Sequence, residues 1–286
     1  MNETLRDQLA RFLAEDLAHG DLTSEALIAP DRRAVGTVRA GEAAVLAGIE
    51  EAHGLAGLRG LQASASAGDG DRIAADQEVL ELRGTALDVL AVERTLLNIM
   101  SHMSGVATIT QRAVDAVQAA FTGARSSRPP RVAATRKTLP GLRRLQKKAV
   151  VLGGGLPHRF DLGAAALAKD NHLALYPDVG AVVARLREQL GDTPLEIEVE
   201  SLDDAVLAAR HGADTLLLDN LDPAAIIDIG EALRTAGLRD ALSLEASGGI
   251  TVATVHTYAD TGVDVISMGI LTSAAPHIDY TLHFTP

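Results

Sequence analysis

Cysteine and tryptophan are absent from this chain, and only 2% of its residues are aromatic. Without a thiol there is no disulfide, no thiolate metal centre and no cysteine nucleophile, so any metal ion must sit on oxygen or histidine. Long apolar runs are missing too. None approaches the roughly 20 residues of a membrane-spanning helix, and the opening MNETLRDQLARFLAEDL lacks the basic-then-apolar layout of a secretory signal. A cytoplasmic protein is expected. Nor is there a surplus of basic residues: the net charge is −12, which argues against an extended nucleic-acid face and leaves room only for a local basic pocket. Lysine is scarce, four residues against 22 arginines. All four lysines (Lys137, Lys147, Lys148 and Lys169) fall in one short stretch. In a chain that otherwise uses arginine, they mark places where a compact ammonium differs from a planar fork.

What is present suffices for a folded protein. With 286 residues, 47% of them hydrophobic, the chain can bury one large core or two ordinary ones. The first hundred residues mix an amphipathic helix on Leu5, Leu9, Phe12 and Leu13, short strands near Ala34 to Ala44, and a turn at Gly68 to Gly70, an α+β pattern. Ala86 to Ala120 reads as two helices with a break near Ser104-Gly105. The loop TGARSSRPPR follows, where Pro-Pro interrupts both periodicities.

From Val132 onward short apolar runs alternate with helical stretches, a βα repetition. The runs end at Arg136-Lys137, Lys169, Glu198, Asp219, Glu245 to Ser247 and Ser267 to Gly269. In a (β/α) barrel, parallel strands deliver such ends to one face. An open doubly wound sheet has the same alternation and also gathers these ends on one edge. The final segment, HIDYTLHFT, reads as a strand with no helix after it, suited to rejoin the N-terminal domain.

Chemistry gathers on those strand ends. Gly248-Gly249 precede TVATVHTYAD, read as a helix, and backbone N–H groups at such a start hold phosphate. Met268-Gly269-Ile270 offers a second glycine turn where barrels commonly bind phosphate. Glu198 and Asp219 suit sugar hydroxyls, a magnesium ion, or both. Arg136, Lys137, Arg159 and Lys169 place four positive charges in one cleft, which would repel one another unless a multiply charged anion joins them. His158 lies beside Arg159 after a triple glycine.

At these residues the sequence resembles the quinolinate phosphoribosyltransferase family. The resemblance rests on Glu15-Asp16 through Thr23, Glu93-Arg94-Thr95 with Asn98, Ser104-Gly105, Thr135-Arg136-Lys137-Thr138 and Pro140 to Arg143. It continues through Gly153 to Gly155, His158-Arg159, Lys169-Asp170-Asn171-His172, Glu198, Leu218-Asp219-Asn220, Glu245 with Ser247 to Gly249, and Ser267 with Gly269. It implies an incomplete (β/α) barrel, residues 109–271, with an N-terminal α/β sandwich domain, residues 1–108, completed by the C-terminal strand within 272–286. It also implies a homodimer or higher homo-oligomer whose sites lie between subunits, with Arg94 reaching the partner's site. Thr135, Arg136, Lys137, His158, Arg159 and Lys169 would hold quinolinate and pyrophosphate. Glu198 and Asp219 would address ribose and magnesium, and Ser247, Gly248, Gly249, Met268, Gly269 and Ile270 the 5′-phosphate. Lys137, Lys169, Glu198 and Asp219 are the catalytic set so implied.

The implied reaction joins the nitrogen of quinolinate to C1 of phosphoribosyl pyrophosphate, with loss of pyrophosphate and carbon dioxide, giving nicotinate mononucleotide for NAD synthesis. Two positions depart from the family pattern: Pro157 stands where asparagine is common, and Val151 where arginine often stands. Molybdenum-transport-associated relatives of the same fold share both features, so a non-catalytic relative of that kind is one alternative. A transferase with another acceptor base is the other.

Overall fold

The computed structural model describes residues 5–285. The chain forms two compact units, one reaching to residue 109 and resuming at 275, the other spanning 110–274.

In the first unit, α1 (Leu5–Asp16) buries Leu9 and Leu13, as its spacing predicts. Asp21 caps α2 (Leu22–Leu27) by accepting the Ser24 N–H. Then come β1 (Arg33–Ala40), β2 (Ala44–Val45), α3 (Ile49–Leu58), β3 (Gln62–Ala65), β4 (Arg72–Ile73), β5 (Glu78–Thr85) and α4 (Ala86–Ala120). β5 pairs antiparallel with both β1 and β3, and β1 pairs on its other edge with the C-terminal strand Tyr280–Thr285. The unit is therefore discontinuous in sequence, and its last strand returns as expected.

One expectation fails here. Ala86 to Ala120 is a single helix of 35 residues, not two. Ser104-Gly105 is a packing contact rather than a break: the Ser104 hydroxyl bonds the Ala47 backbone and receives the Tyr280 hydroxyl. A Cβ on Gly105 would stand 1.8 Å from the Pro276 carbonyl oxygen. Glycine allows that close approach, and the helix formers around it carry the helix through.

The second unit repeats strand and helix: β6 (Arg131–Ala133), α5 (Arg143–Leu152), β7 (Ala166–Ala168), α6 (Asp170–Leu173), α7 (Val179–Leu190), β8 (Leu195–Val199), α8 (Leu202–Arg210), β9 (Thr215–Asp219), α9 (Pro223–Thr235), β10 (Ser243–Ser247), β11 (Val265–Ser267) and α10 (Ile270–Ser273). The returning strand is β12 (Tyr280–Thr285). Asp178, Ser201 and Asp222 cap α7, α8 and α9 with their side chains, and Pro223 follows the last cap. All strand pairs are parallel, in the order β6-β11-β10-β9-β8-β7. Because β11 lies against β6, the last strand of the series returns to the first. Leu156 bridges to Ala133 on the other side of β6, so the ring stays open between Leu156 and β7. That is an incomplete barrel. Strand β8 is buried along its whole length, as strands covered on both faces are.

Candidate active site

The C-terminal strand ends of the second unit open into one cleft of about 640 Å³. One wall is cationic. After β6 the chain turns at Thr135, whose hydroxyl accepts the Lys137 N–H at 3.0 Å. The Lys137 carbonyl is fixed by the Thr272 hydroxyl at 2.7 Å. Gly269 leaves room for the Lys137 stem, since a Cβ there would lie 2.9 Å from its Cδ. The Nε of Arg136 is buried without a partner, a donor whose demand an anionic ligand nearby can ease.

His158 and Arg159 enter from the neighbouring segment. Leu156 exchanges backbone bonds with Val132 and Ala134, which sets the following turn beside β6. His158 has φ +55°, a left-handed conformation rare for a residue with a side chain. Its Nδ1 accepts the Arg159 N–H at 2.9 Å, so the ring proton sits on Nε2 and is donated to Glu245 Oε2 at 3.0 Å. The Glu245 hydrogen bond raises the pKa of the imidazole above its ordinary value.

The floor is acidic. Glu196 and Glu198 lie two residues apart on β8 and so point to the same side. Glu198 accepts from the Lys169 ammonium at 2.5 Å and from the Asp170 N–H at 3.1 Å. Asp219 ends the neighbouring strand and accepts from the Asn220 amide at 2.6 Å. Burial, and then Glu198, raises the pKa of Asp219. Burial, followed by the charge of Glu245, pushes Glu196 up from 4.5 to about 7.

Thr135, Arg136, Lys137, His158, Arg159, Lys169, Glu198, Asp219, Ser247, Gly248, Gly249, Gly269 and Ile270 all line the cleft. Met268 does not. Its side chain is buried in the core and its N–H is spent on the Ala133 carbonyl at 2.9 Å, so the second glycine turn begins at Gly269. Arg94 is exposed on α4 in the first unit and is not among the lining residues.

Further findings concern the setting. Glu198 pairs with Lys169 and Glu245 with His158, while burial and then Arg136 lower the pKa of Arg159, so repulsion among the cations is eased only at Lys169. TVATVHTYAD is not an α-helix; it holds only a 3-10 turn, Val255–Tyr258, in keeping with its β-branched residues. The recess there rests on glycine turns: Gly248 (φ +93°) and Gly249 (φ +58°). A Cβ on Gly248 would meet the Asn220 side-chain oxygen at 2.3 Å. Glu196 was missed in the sequence, although the alternation in LEIEVE held the signal.

Around the cleft, two acidic groups come close enough to hold a cation. Glu198, Glu200 and Asp219 bring carboxylate oxygens within 4.8 Å of one another, and so do ligand atoms of His158, Glu196 and Glu245. In the second set the Nε2 proton of His158 occupies the position a metal needs. The first set is all oxygen, the donor type that a hard divalent cation such as magnesium takes, so Glu198 and Asp219 would suit one.

Comparison with known proteins places the chain in a family. Residues 21–104 match the quinolinate phosphoribosyl transferase N-terminal domain, and residues 106–283 the C-terminal domain. A probable nicotinate-nucleotide pyrophosphorylase (carboxylating) of Methanothermobacter thermautotrophicus is 42% identical, over 97% of this chain and 98% of that protein. The nicotinate-nucleotide pyrophosphorylase (carboxylating) of Mycobacterium leprae is 36% identical, over 98% and 97%. The crystal structure of NadC from Streptococcus pyogenes superposes with a TM-score of 0.88 at 32% identity, covering all of both chains. The chain belongs to the quinolinate phosphoribosyltransferase family.

Proposed function

We propose that this member of the family is a carboxylating nicotinate-nucleotide pyrophosphorylase that converts quinolinate and phosphoribosyl pyrophosphate to nicotinate mononucleotide, pyrophosphate and carbon dioxide, in the cytoplasm, for NAD synthesis. The observation that carries it is the division of one cleft into a cationic wall, an acidic floor and a glycine-lined recess. Each part has a matching piece of the two substrates.

Arg136 and Arg159 hold the two carboxylates of quinolinate, their planar guanidinium groups suited to carboxylate geometry, and His158, with both ring nitrogens engaged, sets the turn that presents Arg159. Glu198 and Asp219 accept hydrogen bonds from the ribose hydroxyls, and the turns at Gly248-Gly249 and Gly269-Ile270 receive the 5′-phosphate. The pyridine nitrogen then faces C1. The bond from C1 to pyrophosphate breaks with its electron pair leaving on the pyrophosphate oxygen, and the nitrogen lone pair forms the new bond. Lys137 and Lys169 offset the charge that builds on the leaving group. Magnesium held by Glu198 and Asp219 would supply further neutralisation of pyrophosphate when bound. The main contribution of the protein is to hold both substrates in line while the bond changes.

Loss of the 2-carboxylate as carbon dioxide leaves an electron pair at ring carbon 2. The adjacent pyridinium nitrogen stabilises that pair until a proton takes it up. No covalent enzyme intermediate is needed. Purified protein supplied with quinolinate, phosphoribosyl pyrophosphate and magnesium should form nicotinate mononucleotide. Nicotinate in place of quinolinate should react far more slowly, because a site built for two carboxylates leaves cations unpaired around a monocarboxylate. Equal rates on both acids would contradict the reading.

A further inference from the structure

We propose that α5 is a positioning clamp for the His158–Arg159 turn, in which Lys147 and Arg143, one helical turn apart, hold the backbone carbonyls that flank it. The Lys147 ammonium donates to the Pro157 carbonyl. Arg143 donates from Nη1 to the Phe160 carbonyl at 2.9 Å and from Nε to the Thr138 hydroxyl at 2.9 Å. One helix face thus grips both ends of the turn that carries His158 and Arg159, and touches the Thr135–Thr138 turn that carries Arg136 and Lys137. The inference rests on the reading of the cleft as a dicarboxylate site.

Stability does not account for Lys147. Its side chain is fully buried, and its nitrogen lies 5.5 Å from the centroid of the Phe160 ring. Burial, and then Arg143, Arg136 and Arg159, lowers its pKa from 10.5 to about 8. A methionine would bury the same stem without desolvating a charge. What the ammonium adds is a directed donor beneath a strained turn. A left-handed residue other than glycine persists only where its surroundings over-determine it. His158 is held by three ties: its own ring bonds to Arg159 and Glu245, and the Lys147 bond one residue earlier. At this place in the chain Pro157 supplies only a carbonyl, having no N–H, and that carbonyl is the group Lys147 takes.

The test uses full-length Lys147→Met, Lys147→Gln and Arg143→Met proteins. Benzene-1,2-dicarboxylate, which carries the two carboxylates but no ring nitrogen, serves as a non-reacting probe. Misplacement of reacting groups by about 1 Å is worth roughly 100-fold, so Lys147→Met should weaken probe binding and raise KM for quinolinate by about 10- to 100-fold. KM for phosphoribosyl pyrophosphate should stay put, and the His158 ring nitrogen signals should move in spectra of protein labelled with ¹⁵N-histidine. Lys147→Gln, which keeps a donor, should recover part of the loss. If Lys147→Met does not fold, Arg143→Met is examined by the same measurements. A folded variant with probe binding and His158 signals as in the wild type would overturn the clamp. Absence of turnover in the wild type would instead sink the proposed reaction, and the histidine spectra would still decide on the clamp.

Discussion

At the scale of single residues, the cleft is a balance of opposed charges, and two side chains test how that balance is struck. Lys169 is about half exposed and pairs with the buried Glu198, so its removal should matter more for reaction than for folding. Lys169→Ala should lower turnover by about 10²- to 10³-fold, the usual loss for one charge-stabilising donor, with a melting curve close to that of the wild type. Unchanged turnover would show that Lys169 has been misassigned. Glu196 makes the opposite case. Burial, and then Glu245, push its pKa from an ordinary 4.5 to about 7 in the folded protein, so the folded state binds the extra proton between those two pH values. Its contribution to stability is favourable below about pH 4.5 to 7 and is lost as pH rises through 7. Glu196→Gln should therefore melt above the wild type at pH 8 and match it near pH 5, where about 1 kcal/mol corresponds to roughly 2–4 °C in a chain of this size. A melting difference that ignores pH would mean that Glu196 is ionised in both states.

At the scale of elements, two glycines separate packing from function. Gly105→Ala would drive a Cβ into the Pro276 carbonyl at 1.8 Å, where neither backbone can yield, and should lower stability by about 1–3 kcal/mol or more. Gly248→Ala crowds Asn220 beside Asp219 and forces a positive φ of 93° on alanine. It should raise KM for phosphoribosyl pyrophosphate well above that for quinolinate. Equal effects on both substrates would dissociate this turn from the phosphate. The same elements explain what the sequence disclosed. Asp219 was legible because it closes the apolar run of β9, and Glu198 because it stands next to the C-terminal end of β8, where parallel pairing gathers the strand ends. Glu196 was not, because an acid alternating with apolar residues looks like a solvated strand face. Only the curled sheet turns that face inward. Gly105 looked like a helix break because glycine signals both freedom and close contact, and the contact at Pro276 lies far away in sequence. Met268 could not be excluded from the recess until its N–H was seen bonded to Ala133.

At the scale of the whole molecule, the chain is acidic, with net charge −12, yet two of its four lysines, Lys137 and Lys169, line the cleft together with Arg136 and Arg159. That concentration draws multiply charged anions to a single place on a protein that otherwise repels them. No helix among the described residues is long and apolar enough to cross a membrane. Arg94, exposed on α4, is free to act in a second copy of the chain. If it does so in a dimer, mixing inactive Arg94→Ala and Lys169→Ala proteins should restore roughly a quarter of wild-type activity, since half of the dimers are mixed and each has one intact site. Subunit exchange without recovery would remove Arg94 from the site. The family's two departures at Pro157 and Val151 bear on the same level. Val151 is half exposed, whereas Pro157 meets Lys147 through a carbonyl that any residue would offer. Neither change removes a group from the cleft. The most direct measurement of the account follows quinolinate labelled at its 2-carboxylate through a complete turnover with phosphoribosyl pyrophosphate. The account predicts one labelled carbon dioxide released for each nicotinate mononucleotide and each pyrophosphate formed; pyrophosphate release without labelled carbon dioxide, or no product from folded protein, would contradict it.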